Sequence, residues 1–365
     1  MIVFGVFISL LIVMLIFRYV YDKNRLNALD VHISISEDTA TEGDTLILTE
    51  VLTNSSWLPR PWVSVKFRAD KELRFGDDTT SVSDAYYRYD LFHILMHQKI
   101  TRRLAFKCSK RGYYAISGLE ITGWDVLMER KYIRHYPCNV RLTVYPGLID
   151  VREMDEVCTQ VYGYLQSKFP IHQDPFSFRG IREYAPGDSM KAINAKASAK
   201  VQELMVNVWD YSNARQVMLV LDVERYAIWH NENIEERAIK IISSIAEKMC
   251  RENAPVGFMT NATSLFDATE IPLGRGTYHL REILTALAYV NTSAPIRESF
   301  SRTLEKISLY GSHEPEYWII TNYYSKATED AFYNLKNSGI RAVWIMPSPA
   351  PTGTGFTLPD DIFFI

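Results

Sequence analysis

The sequence predicts a chain in three parts: an apolar helix, an antiparallel β-sandwich, and an α/β domain with a largely parallel sheet. Three observations carry that division. The first seventeen residues hold no charged side chain; residues 30–145 alternate apolar and polar with period two; and beyond about residue 146 continuous apolar runs alternate with stretches of helical spacing. At 365 residues the chain exceeds what a single hydrophobic core encloses, so two globular domains are expected.

Met1–Phe17, MIVFGVFISLLIVMLIF, reaches the lower limit for crossing a bilayer as a helix. Tyr19 and Tyr21 follow as interfacial anchors. A secretory signal would need a basic stretch before the apolar run and a small-residue cleavage site after it, and neither is evident. Residues 1–22 are therefore expected to anchor the chain in a membrane, as a single pass. Arg18, Lys23 and Arg25 outnumber Asp22 just after the span, which places the body in the cytoplasm by the positive-inside rule. Cys108, Cys138, Cys158 and Cys250 are widely separated, with no C-x-x-C pair and no His at metal spacing. Four cysteines permit disulfides, but reduced thiols suit a cytoplasmic body.

Within 30–145, Val31–Ile35 and Thr45–Val51 alternate around a Glu42-Gly43-Asp44 turn, and Trp62–Phe67 repeats the pattern after Pro59 and Pro61. Thr101–Cys108 and Tyr113–Ile121 flank the turn Ser109-Lys110-Arg111-Gly112. Short strands separated by turns favour an immunoglobulin-like sandwich, without the Cys and Trp framework of antibody domains. Residues 75–98 interrupt the alternation and read as a solvated loop. Asp77, Asp78 and Asp84 there lack the ligand spacing of a calcium loop. His93 and His97 would share one face of a helix, but Ile94 stands where a zinc-protease motif needs Glu.

From 146 to 365 the pattern is α/β. Val217–Leu221 is an uninterrupted apolar run, as expected of a strand covered on both faces. Asn233–Glu252 follows with Ile234, Ala238, Ile241, Ile242, Ile245 and Met249 on one helical face. Strands are expected at Val256–Thr260, Tyr317–Thr321 and Arg341–Met346, and helices at Tyr278–Val290, Ser299–Tyr310 and Thr328–Asn337. That alternation predicts a mostly parallel sheet with helices on both sides.

The most specific stretch is 174–200. Ala185-Pro186-Gly187-Asp188 combines a fixed φ, a permissive one and a carboxylate suited to an N-cap. Ser189–Lys200 then carries helix formers at most positions. Arg182, Tyr184, Gly187 and Asp188, followed by Ile193, Asn194, Ala197, Ser198 and Ala199, resemble the signature of the prokaryotic domain-of-unknown-function 58 family, R-x-Y-x-x-G-D…I-N-W-x-A-S-A-R. Ala195 replaces the usual Trp and Lys200 the usual Arg. The resemblance implies a β region between a membrane segment and the signature domain, and an α/β domain similar to the von Willebrand factor A fold. It also implies a partner, a MoxR-type AAA+ ATPase, and a role in assembling or activating a client complex. Arg182, Tyr184, Gly187, Asp188, Asn194 and Ser198 are its candidate binding residues.

Ligands of open parallel sheets sit beyond the carboxyl ends of strands, where Asp222 falls. Metal-binding domains of the von Willebrand factor A type carry D-x-S-x-S there; this chain has Asp222-Val223-Glu224-Arg225-Tyr226. With both serines absent, Asp222 and Glu224 read as a vestigial metal position, and no metal or cofactor is expected. The sequence has no G-x-S-x-G elbow, no Walker loop and no G-x-G-x-x-G between strand and helix. A net charge of −3 gives no argument for nucleic acid. The expected function is a non-enzymatic, membrane-anchored interaction scaffold. The alternatives are a metal-dependent adhesion module and a hydrolase with a dispersed site.

Overall fold

The structure, a computed structural model, describes residues 2–24, 28–76, 81–83, 87–124, 128, 130–168, 178–185, 190–209, 215–224, 232–266, 269–321, 325–348 and 362–364. The chain falls into two compact units, Met1–Gly147 and Leu148–Ile365.

Helix α1 (Ile2–Asn24) opens the first unit. Its 23 residues extend about 35 Å at 1.5 Å per residue. Apolar side chains from Phe4 to Ile16 are largely exposed around the whole helix, with Phe4 at 70% and Phe7 at 68%. Among the described residues, no helix is long and apolar enough to cross a membrane.

Ten strands follow: β1 (Leu29–Ile35), β2 (Thr39–Thr41), β3 (Thr45–Asn54), β4 (Arg60–Arg68), β5 (Leu73–Phe75), β6 (Ser81–Ser83), β7 (Tyr87–Ile94), β8 (Lys99–Cys108), β9 (Gly112–Trp124) and β10 (Lys131–Tyr145). They form two sheets, ordered β1-β3-β8-β5 and β2-β10-β9-β4-β7-β6. Both sheets feed one core: Leu48 and Leu52 of β3 and Phe106 of β8 meet Val63, Val65 and Phe67 of β4 and Ile121 of β9. Each such side chain contributes roughly 1.5–3 kcal/mol by leaving water. The Glu42-Gly43-Asp44 turn forms as the sequence indicates, with Gly43 at φ 101°, a conformation that favours glycine.

The segment 75–98 departs from the expectation of a loop. It contributes β6 and β7, and His93 lies on strand β7 while His97 turns through φ 49°, so no helix brings the two together. Period-two patterning was hidden because β7 buries charge. Asp90, fully buried, accepts from Arg88 Nε at 2.8 Å and from Arg102 Nη1 at 2.8 Å. Glu50, directly across from Arg102 on neighbouring strands, is also buried.

The second unit begins with α2 (Val151–Lys168), which the sequence reading did not single out. A hairpin of β11 (Phe178–Glu183) and β12 (Met205–Trp209) encloses a short 3-10 turn and α3 (Ala195–Val201). Then come β13 (Val217–Leu221), α4 (Glu232–Arg251), β14 (Val256–Thr260), β15 (Glu270–Gly274), α5 (Gly276–Tyr289), α6 (Phe300–Tyr310), β16 (Glu316–Ile320), α7 (Lys326–Asn337), β17 (Ala342–Met346) and β18 (Ile362–Phe364). The main sheet runs β15-β14-β13-β16-β17-β18, parallel throughout except where β15 pairs with β14. Alternate strand residues face opposite layers. Val217, Leu219, Trp318 and Ile320 pack with α2, α4 and α5. Met218, Val220, Ile319 and Trp344 pack with α6 and α7. This double burial is why the strands read as unbroken apolar runs.

The expected helix Ser189–Lys200 is a correction. Residues 190–192 form a single 3-10 turn, and α3 starts at Ala195 with Asn194 as its N-cap. Its C-cap, Gln202, is left-handed at φ 63°. Asp188, expected as the cap, lies with Gly187 outside the described residues. All four cysteines are free thiols, Cys108 and Cys158 buried.

Candidate functional site

Two polar groups stand out in the second unit. The first lies at the carboxyl ends of three adjacent strands, β14, β13 and β16, where the connections diverge to the two sides of β13. Asp222 leaves β13, Asn261 leaves β14 and Thr321 leaves β16, and all three are buried. Asp222 Oδ1 accepts from Asn261 Nδ2 and from the backbone N–H of Glu224, each at 2.8 Å. Its Oδ2 accepts from the Thr321 hydroxyl at 2.7 Å. Asn261 is committed at both ends, because its Oδ1 accepts from Val223 N at 3.0 Å.

Burial pushes the Asp222 carboxyl up to about 7, and the Glu224 charge pushes the same way. The hydrogen bonds from Glu224 N, Thr321 and Asn261 oppose that rise by stabilising the ionised form. Glu224 turns aside to the N-terminus of α6, where its Oε2 accepts from Phe300 N at 2.6 Å. Ser299, the N-cap there, makes no side-chain cap bond, so Glu224 does the capping and also meets the positive end of the helix dipole.

Among the described residues, this donor set does not fit a metal ion. Asp222 faces three protein hydrogen-bond donors, and Glu224 is tied to a helix terminus. Among the described residues, no group of three His, Cys, Asp or Glu side chains could hold a metal. Arg225 and Tyr226 lie outside the described residues. Chemically the arrangement is a polar clasp joining strand ends. The sequence reading found Asp222 and Glu224 but missed Asn261 and Thr321. The signal was available: each directly follows a short apolar strand run, VGFMT and EYWII, as Asp222 follows VMLVL.

The second group is the signature segment. Asn194 Oδ1 caps α3 by accepting from Ala197 N at 2.9 Å, and its Nδ2 donates to Asn207 Oδ1 at 2.7 Å. The Ser198 hydroxyl accepts from Met205 N at 2.9 Å and donates to the Asn194 carbonyl at 2.8 Å. These two residues therefore fasten α3 to β12. Arg182 is exposed and donates to the Glu183 carbonyl at 3.0 Å, while Tyr184 N donates to the Leu204 carbonyl at 2.8 Å. Ala195 is exposed at the start of α3, so no interior space awaits the Trp that the pattern usually has there. Although α3 has no buried residue, Ile181, Met190, Val201 and Leu204 around it are 42–74% exposed.

Both groups lie inside one family match. Residues 180–336 match the model of protein of unknown function DUF58. The chain is also 24% identical over 180 residues to uncharacterized protein YeaD of Bacillus subtilis (strain 168), covering 48% of this chain and 42% of that protein. The chain thus spans less than half the length of that relative. Together the two matches support the DUF58 family. Among solved structures, a non-cellulosomal cohesin from Archaeoglobus fulgidus matches with TM-score 0.23 and 12% identity, over 35% of this chain and 97% of that one. An uncharacterized protein from Nocardia farcinica with an immunoglobulin-like fold matches with TM-score 0.22 and 11% identity, over 31% and 97%.

Proposed function

We propose that this DUF58-like chain is a non-enzymatic interaction protein, tethered to a membrane by α1, whose signature segment docks a protein partner. The carrying observation is the exposed apolar surface of Ile181, Met190, Val201 and Leu204, held in shape by Asn194 and Ser198 yet buried against nothing in α3. Apolar side chains gathered in one short segment favour association, because covering them releases water at roughly 25 cal/mol per Å². The Asp222 clasp supports the same reading: its carboxylate is engaged with Glu224 N, Asn261 and Thr321 rather than facing a substrate.

The partner inferred from the family resemblance is a MoxR-type AAA+ ATPase, with the client complex assembled or activated at the membrane. ATP use would belong to that partner. The second unit is read as von Willebrand factor A-like on its parallel sheet and two helical layers. Tethering rests on the sequence of α1, uncharged from Met1 to Phe17, and on its exposed apolar surface. Arg18, Lys23 and Arg25 after the apolar run support a cytoplasmic body under the positive-inside rule.

Co-purification of the full chain with a MoxR-type ATPase from detergent-solubilised membranes tests the reading. Met190→Asp and Leu204→Asp sit on exposed positions and should leave the melting temperature near wild type while abolishing capture. Capture unchanged by either substitution would remove the signature segment as the docking surface.

A further inference from the structure

We infer that the solvent face of the six-stranded sheet of the sandwich is a self-association surface, on which a second copy of this chain packs about a two-fold axis parallel to the strands.

Strand register lays two rows of side chains across four adjacent strands. Leu91 of β7, Ser64 of β4, Thr122 of β9 and Ile133 of β10 form one row. Tyr89, Lys66, Glu120 and His135 form the next, on the same strands in the same order. Successive side chains of a strand point to opposite faces. Val65 and Ile121, which lie between the rows, fill the core, and Asp90 between Tyr89 and Leu91 is buried. Both rows therefore face outward. The solvent side of an antiparallel sheet ordinarily reads as polar. Here Leu91 is 45% exposed and Ile133 51%, and Trp62 and Tyr87 stand two positions further along β4 and β7, also exposed. Apolar groups gathered on one face mark an interaction surface.

The pattern of the face itself selects the occupant. A two-fold axis running between β4 and β9 lays β4 of one copy over β9 of the other, and β7 over β10. Leu91 then meets the second copy's Ile133, Ser64 its Thr122, Tyr89 its His135 and Lys66 its Glu120. Apolar meets apolar, hydroxyl meets hydroxyl and cation meets anion, each twice, as an isologous contact requires. Lys66 Nζ lies over the rings of Tyr87 and Tyr89, 4.4 and 5.1 Å from their centres. Among the described residues Glu120 makes no ion pair, so its carboxylate is available to the second copy. A nucleic acid or an anionic membrane would select a face of one sign, whereas the centre of this one holds one charge of each.

Size and direction agree. Four strands about 4.8 Å apart, with some 3.4 Å per residue over a strand as long as β7, give a flat footprint of about 500 Å². Side-chain relief adds to that and brings it toward the ~800 Å² per partner of a standard interface. Face-to-face sheets keep their strands within about 30° of one another, which preserves the pairing near the axis. An axis parallel to the strands also leaves the Leu29 ends of both sandwiches, which α1 precedes, on the same side. Two copies tethered to one membrane, as proposed above, need that arrangement.

The test is the mass of the full chain in detergent micelles, by light scattering with the detergent contribution subtracted. Wild type should have twice the mass of one chain and dissociate on dilution. Leu91→Asp, at an exposed position, should give a monomer that melts as wild type does. Lys66→Glu places two carboxylates against two, and should raise the dimer Kd about tenfold or more. Lys66→Glu combined with Glu120→Lys should restore the dimer, which only pairing between copies of the same face accounts for. A monomeric wild type overturns the inference and leaves the face to a different partner. A dimer indifferent to Leu91→Asp and Lys66→Glu overturns it too, placing association elsewhere, for instance in α1. Loss in Lys66→Glu without recovery in the double variant overturns the two-fold pairing.

Discussion

The Thr321 hydroxyl donates to Asp222 Oδ2 at 2.7 Å, bridging the carboxyl ends of two neighbouring parallel strands. Both residues are buried, so the bond is shielded from water and its removal leaves a carboxylate less well solvated. Thr321→Val keeps the shape and deletes the donor. It is expected to cost about 1–3 kcal/mol, read from denaturant melts, with no change in the cooperativity of unfolding.

The pH dependence of stability follows from two carboxyls with raised values. Burial, then the neighbouring Asp90 charge, push Glu50 up to about 8, against the opposing pull of Arg102 and Arg88. Among the described residues, neither Glu50 oxygen has a donor to accept from; a protonated Glu50 can donate toward Asp90 instead. Asp222 is pushed up to about 7. In both cases the folded state holds its proton at a pH where the unfolded chain has lost it. Their contribution is therefore full below the unfolded values, near 4.5 and 3.8, and is lost as pH rises toward 8. The slope is at most about 1.4 kcal/mol per pH unit for each group. Glu50→Gln should flatten the upper part of that fall, between pH 6 and 8, in thermal melts; an unchanged slope would show that Glu50 is ionised throughout.

Asn194→Ala removes the cap of α3 and the tie to Asn207. Caps of this kind are worth about 0.5–2 kcal/mol. Since α3 has no buried residue, the loss should stay local, with faster amide exchange at Ala197 and little shift in global melting.

Glu224→Ala should loosen α6 through the lost bond to Phe300 N, by about 0.5–2 kcal/mol. Glu224→Gln retains an acceptor and should recover much of that loss, which separates hydrogen bonding from charge.

Titration with Mg²⁺, Mn²⁺ and Ca²⁺ should leave the melting temperature of the full chain unchanged, because the Asp222 oxygens already face protein donors. A rise at millimolar cation that vanishes in Asp222→Ala would restore a metal-dependent reading.

Much of the fold was legible because its strands and helices follow simple periodicities. The run Val217–Leu221 and the stripe Ala238, Ile241, Ile242, Ile245 and Met249 each bury the face that the pattern assigns. Strand β7 was not legible, since its buried Arg88 and Asp90 imitate a solvated segment. Nor was the start of α3: propensity extended the helix back to Ser189, whereas the bond from Asn194 N to the Met205 carbonyl, 2.8 Å, holds that residue outside it. Of the clasp, Asp222 could be placed at a strand end from sequence. Its partners Asn261 and Thr321 lie 39 and 99 residues away.

By itself the sequence determined the order of apolar helix, period-two strands and alternating α/β elements. Those properties depend on neighbours within a few residues, which local sterics and burial patterns encode directly. Only the tertiary structure decided that Asp222 meets Thr321 and Asn261 and that Glu224 caps α6. Such pairings depend on which strands become adjacent, and that is settled by packing both faces of a sheet at once, a condition no single stretch of chain contains.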